Sequence, residues 1–124
     1  MDLNGITLAY LGDSIYEYYV RKHLLEMGVR HVNKLHKMAI NYTRAISQSF
    51  VMNKLLEENY LHEDEIKAFK LGRNSDARQA KKTCSVIEYK MATGFEALIA
   101  YLNNNKERQL EIIDESFRII ESEN

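Results

Sequence analysis

Proline and tryptophan are missing from this 124-residue chain, which carries only five glycines and one cysteine. The turns of an all-β protein would be hard to build from that supply, whereas long helices are left undisturbed. The lone Cys84 excludes an internal disulfide framework and suits a reducing compartment. No apolar run approaches the ~20 residues of a membrane span, and the basic-then-apolar pattern of a secretory signal is absent. A cytoplasmic protein is the expectation. The chain also lacks a Gly-rich phosphate loop with its lysine, which disfavours nucleoside-triphosphate chemistry. His23, His31, His36 and His62 stand at no metal-ligand spacing, and Cys84 has no evident base partner.

What is present is ordinary for a globular protein: 45% hydrophobic and 28% charged residues, enough for one core and one domain over residues 1–124. The net charge of -1 conceals segregation. Residues 21–44 hold six basic side chains against Glu26, and residues 67–90 hold seven against Asp76 and Glu88, a local +5 in each. Two basic stretches on a near-neutral chain point to a localised anionic partner; solvated helix faces are the plainer reading.

The first 27 residues show helical spacing in Leu8, Leu11, Ile15, Tyr18 and Tyr19. Gly12 interrupts it, and two readings stand. Ser14-x-x-Glu17 has the form of a capping box that would start a new helix. Alternatively the helix runs straight through Gly12, whose missing side chain lets another element approach. Gly28 then ends the helix. A second helix is expected from Lys34 to about Leu56, capped by Asn33, with Leu35, Met38, Ala39, Tyr42, Ile46, Phe50 and Leu55 as its stripe. A short third helix opens on Glu63, Asp64 and Glu65, where the dipole favours acids, and stops at Gly72. Residues 73–83 read as an exposed basic loop. A helix over about 85–102 and an amphipathic one over about 107–120 follow, divided by Asn103-Asn104-Asn105. The fold class is all-α, a bundle of five or six helices.

Two acids sit in company that otherwise reads as core: Asp13, near Ala9 and Gly12, and Glu96, near Ala92 and Ala100. Small neighbours let helices approach and leave room for an ion with its waters. Carboxylates alone suit a hard cation such as magnesium, which keeps several waters and takes phosphate oxygens. Two acids on exposed helix faces are the plainer alternative.

Leu8-Ala9-Tyr10-Leu11-Gly12-Asp13-Ser14-Ile15-Tyr16-Glu17 resembles the acidic helix of the ribonuclease III endonuclease domain, and Thr93-Gly94-Phe95-Glu96-Ala97-Leu98-Ile99 resembles that family's second acidic motif. With Leu35-His36-Lys37, Ser47-Gln48 and Gly72-Arg73-Asn74, the likeness narrows to the Mini-ribonuclease III branch, which lacks a separate double-stranded RNA-binding domain. The resemblance implies a homodimeric endoribonuclease for double-stranded RNA, dependent on magnesium or manganese and acting on large-subunit ribosomal RNA precursor. It implies Asp13 and Glu96 as catalytic metal ligands and Tyr10 as a dimer-interface residue; Glu17 drops to a structural or supporting part. Lys37, Arg73, Asn74, Arg78, Lys81 and Lys82 are the candidate RNA contacts. Larger ribonuclease III enzymes carry further acids where this chain has Ile6, Ala9 and Thr93, a loss the branch shares. Basic stretches without stacking aromatics suit a duplex better than a single strand. The rival readings are a non-catalytic RNA-binding relative, a helical nucleotide pyrophosphohydrolase and a helical interaction module.

Overall fold

The computed structural model describes residues 4–75 and 84–123. Among these residues six α-helices follow one another: α1 (Gly5–Glu26), α2 (Val32–Thr43), α3 (Ala45–Glu57), α4 (Glu63–Arg73), α5 (Val86–Tyr101) and α6 (Lys106–Ser122). A 3-10 turn at Leu102–Asn104 joins α5 to α6. No strand occurs among the described residues.

α5 is the axis of the bundle. From Met91 to Ala100 all but Thr93 and Glu96 are buried, so the helix must be covered nearly all round, and α1, α3 and α4 cover it. Tyr16 of α1 sets its ring edge-on to Phe95, 5.0 Å between centroids, and Val20 and Leu24 continue the stripe. Val51, Met52 and Leu55 from α3, Phe69 from α4, and Ile112 and Ile113 from α6 close the core. The caps are local. Asn4 Oδ1 accepts from the Thr7 amide at 2.8 Å, and Ser85 and Glu88 form a reciprocal capping box.

The long second helix expected from Lys34 to Leu56 is two helices. Arg44 adopts an extended conformation (φ -66°, ψ 151°) between α2 and α3, and its Nε donates to Ser47 Oγ at 3.0 Å. The break shifts the phase of the stripe. Ser47, Gln48, Val51, Met52 and Leu55 turn inward, while Ile46 stays exposed. The N-cap position of α2 is His31, not Asn33.

Two polar clusters tie α6 to the rest. At one end, Glu121 Oε2 lies 2.6 Å from His23 Nε2 and accepts from the Tyr42 hydroxyl at 2.8 Å. Burial, with the bond to Glu121, pushes the Tyr42 phenol well above its ordinary range. At the other end, buried Glu65 accepts from Arg108 Nε at 2.8 Å and Nη2 at 2.9 Å, and Nη2 also donates to the Tyr60 carbonyl at 2.7 Å. Burial pushes the Glu65 carboxyl up, but the Arg108 and His62 hydrogen bonds outweigh it and hold the group below its usual value. Arg108→Ala leaves that carboxylate buried and unpaired, at a cost of about 3–5 kcal/mol, and the melting temperature should fall on the order of 15 °C. A carboxyl with a lowered pKa stabilises the fold above its unfolded value of about 4.3 and loses that contribution as the pH drops through the folded value. The gap in melting temperature between the wild type and a Glu65→Gln, Arg108→Ala double variant should therefore narrow as the pH falls from 7 towards 3.

Candidate active site

The helices that carry the two acids touch because of a glycine. α1 runs unbroken through Gly12, and Ser14, instead of capping a new helix, donates its hydroxyl to the Leu11 carbonyl at 2.8 Å. A Cβ built on Gly12 would stand 1.7 Å from the Glu96 carbonyl oxygen and 3.1 Å from its Cα. No side chain fits there, so α1 crosses α5 with Gly12 against the Glu96 backbone. Asp13, the next residue of α1, and Glu96 are thereby brought to one crossing, Asp13 exposed and Glu96 half-buried. Ala9 and Ala92, both buried, keep the surroundings small.

The neighbouring polar groups are committed elsewhere. Thr93, one turn before Glu96, donates its hydroxyl to the Tyr89 carbonyl at 2.9 Å. Glu17, one turn after Asp13, pairs through Oε1 with Arg21 Nη2 at 3.3 Å. Its Oε2 is buried without a hydrogen-bond donor among the described residues. No group of three or more His, Cys, Asp or Glu side chains among those residues is arranged to hold a metal. What the crossing offers is two carboxylates, Asp13 exposed and Glu96 half-buried. That donor set fits a hard divalent cation that keeps most of its waters, and it does not fit a closed structural zinc site.

The other sequence-derived residues lie around this crossing or outside it. Tyr10, one turn before Asp13, is 82% exposed, with Ile6 also exposed on the preceding turn. Lys37 is exposed on α2. Arg73 ends α4 with its guanidinium 5.4 Å from the Phe69 ring centroid and its Nε donating to Asn74 Oδ1 at 3.1 Å. Arg78, Lys81 and Lys82 lie outside the described residues. Of the histidines, His23 belongs to the α6 anchor, while His31, His36 and His62 are exposed.

Residues 6–105 match the Ribonuclease III domain. The chain belongs to that family. It is 42% identical over 114 residues to the Mini-ribonuclease 3 of Enterococcus faecalis, covering 90% of this chain and 86% of that one. It is 40% identical over 122 residues to the Mini-ribonuclease 3 of Brevibacillus brevis, covering 97% and 90%. A crystal structure of a protein from Fusobacterium nucleatum superposes with a TM-score of 0.83 at 33% identity, covering 99% of this chain and 96% of the other. The chain is thus an endoribonuclease of the ribonuclease III family, in its Mini-ribonuclease III branch, and both acids of the crossing fall inside the matched segment. No described helix is long and apolar enough to cross a membrane.

Proposed function

We propose that this endoribonuclease hydrolyses phosphodiester bonds in double-stranded RNA at the Asp13–Glu96 crossing, with a magnesium or manganese ion held there. The observation that supports the proposal is the contact of Gly12 with the Glu96 backbone, which brings together the helices that carry Asp13 and Glu96 in a ribonuclease III chain. Such a cation, when bound, supplies a water nucleophile at neutral pH and stabilises charge on the leaving oxygen. Asp13 and Glu96 orient it and, as anions, set its place relative to the scissile phosphate. Lys37, Arg73, Asn74, Arg78, Lys81 and Lys82 meet phosphates and 2′-hydroxyls of the duplex, whose A-form helix is read mostly by shape. Residues 1–124 act as one catalytic domain in the cytoplasm, and the substrate is large-subunit ribosomal RNA precursor.

A two-fold dimer would present two such sites to the two strands. Tyr10, exposed on α1, is the residue at which we place that contact. Asp13 and Glu17 stand at the spacing a pyrophosphohydrolase would use, but Glu17 turns to Arg21, which favours the nuclease.

A purified sample incubated with a structured ribosomal RNA precursor fragment and magnesium should cut it, and should stop when the metal is chelated. Cleavage at subsaturating RNA should fall steeply with salt, because phosphate contacts dominate affinity. No cutting at any salt concentration overturns the proposal. Light scattering should give a dimer at micromolar concentration, and Tyr10→Asp should shift it to monomer; a monomeric wild type removes the dimer.

A further inference from the structure

A groove of about 580 Å³ opens where α1 begins beside α4. Asn4, Gly5 and Ile6 form one wall, and Lys67, Lys70 and Asn74 line the other. Its shape follows from a close approach: a Cβ on Gly5 would stand 2.1 Å from the Leu71 carbonyl oxygen, so the two helices touch backbone to backbone at the floor. Lys67, Lys70 and Asn74 follow one another at spacings of three and four, on a single face of α4. Both lysines are exposed, and no carboxylate lines the groove among the described residues. Neither lysine makes an ion pair among the described residues.

Of the acids that open α4, Glu63 stands one turn before Lys67 on the exposed surface but makes no ion pair with it among the described residues. Asp64 accepts from the Tyr101 hydroxyl at 2.7 Å, and Glu65 is held by Arg108. Asn74 Oδ1 is taken by Arg73, which leaves the Asn74 amide protons as donors beside the lysines. Gly5 precedes Asp13 by eight residues on the same helix, a separation of about 12 Å along its axis. That is a few base pairs of a duplex.

We infer that the groove between the start of α1 and α4 is a second stretch of the RNA footprint, where Lys67 and Lys70 hold backbone phosphates away from the carboxylates. The inference rests on the proposed action on duplex RNA and extends it to residues with no assigned part. Two cations with donor amides beside them, in a groove whose described lining holds no acid, fit a polyanion. Exposed Ile6 and Leu71 would fit a second copy of the chain instead, and the test separates the two.

Lys67→Gln, Lys70→Gln and the double variant should fold normally, since both side chains are at the surface. Affinity for a long RNA duplex is measured against salt, with chelator present so that no strand is cut. The slope of log affinity against log salt should become shallower by about two in the double variant. The variant's deficit should accordingly shrink about tenfold between 50 mM and 200 mM salt. With magnesium restored, KM should rise while kcat at saturating RNA holds, and Lys67→Arg, Lys70→Arg should recover the wild-type slope. An unchanged slope and affinity in the glutamine variant, with the wild type binding duplex normally, overturns the inference alone. The same unchanged slope with loss of the dimer by light scattering assigns the groove to a second copy and likewise overturns it. A wild type that neither binds nor cuts duplex overturns the parent proposal instead.

Discussion

Replacing Gly12 by alanine is expected to lower RNA cleavage on the order of a hundredfold or more, in a protein that still forms its helices. The added methyl would fall 1.7 Å from the Glu96 carbonyl oxygen, which is backbone in the middle of α5 and cannot swing aside. The only relief is to move α1 from α5. Overpacking of this kind costs about 1–3 kcal/mol, which a domain with the core described above survives. The site does not survive it as well, because Asp13 rides on α1 and Glu96 on α5. A misplacement of about 1 Å between groups that must act together costs roughly 10²-fold in rate. A melt and a cleavage assay on the same sample check both halves. Cleavage within a few fold of wild type would mean that the crossing does not set the geometry of the reaction.

The same glycine marks where sequence reasoning stops. Its neighbours allow both a capping box at Ser14 and a continuous helix, and nothing local chooses between them. The choice is made by Glu96, eighty-four positions away, whose carbonyl occupies the place of the missing side chain. α5 and α6 were legible because apolar periodicity is strong when one face or the whole helix is buried. The break at Arg44 was not, for no glycine or proline announces it, and the residues that turn inward after it include Ser47, Gln48 and Ser49. Polar residues buried in a core defeat a reading that assigns them to the surface.

Glu65 shows the same limit in electrostatics. As one of three acids in the first turn of a helix it reads as a complement to the dipole. In the fold it is nearly inaccessible and bound to Arg108, forty-three positions on. His23, Tyr42 and Glu121 likewise meet only in three dimensions. For the candidate site, the two acids stood out in the sequence as candidates, because a carboxylate among core residues asks for a partner. That the two share one crossing was not readable from spacing. The resemblance to the ribonuclease III family implied their pairing, and the α1–α5 contact supplies the geometry.

Asp13→Asn and Glu96→Gln are each expected to reduce cleavage by roughly three orders of magnitude or more, the equivalent of about 4 kcal/mol in the barrier. Both changes keep the shape of the side chain and remove its charge. Asp13 is exposed and Glu96 half-buried at a helix surface, so neither variant should melt more than a few degrees from wild type. Duplex affinity should hold or improve, because a negative charge is taken from a surface that meets phosphates. Removing either carboxylate takes away half of a two-acid donor set, so manganese binding measured by calorimetry without RNA should weaken in each variant. The double variant should cut no more slowly than the slower single one, since groups that act as a unit do not contribute additively. Losses that multiply would mean that the two acids act separately. Wild-type cleavage by both single variants would remove Asp13 and Glu96 from the reaction and return them to the surface of an otherwise unchanged fold.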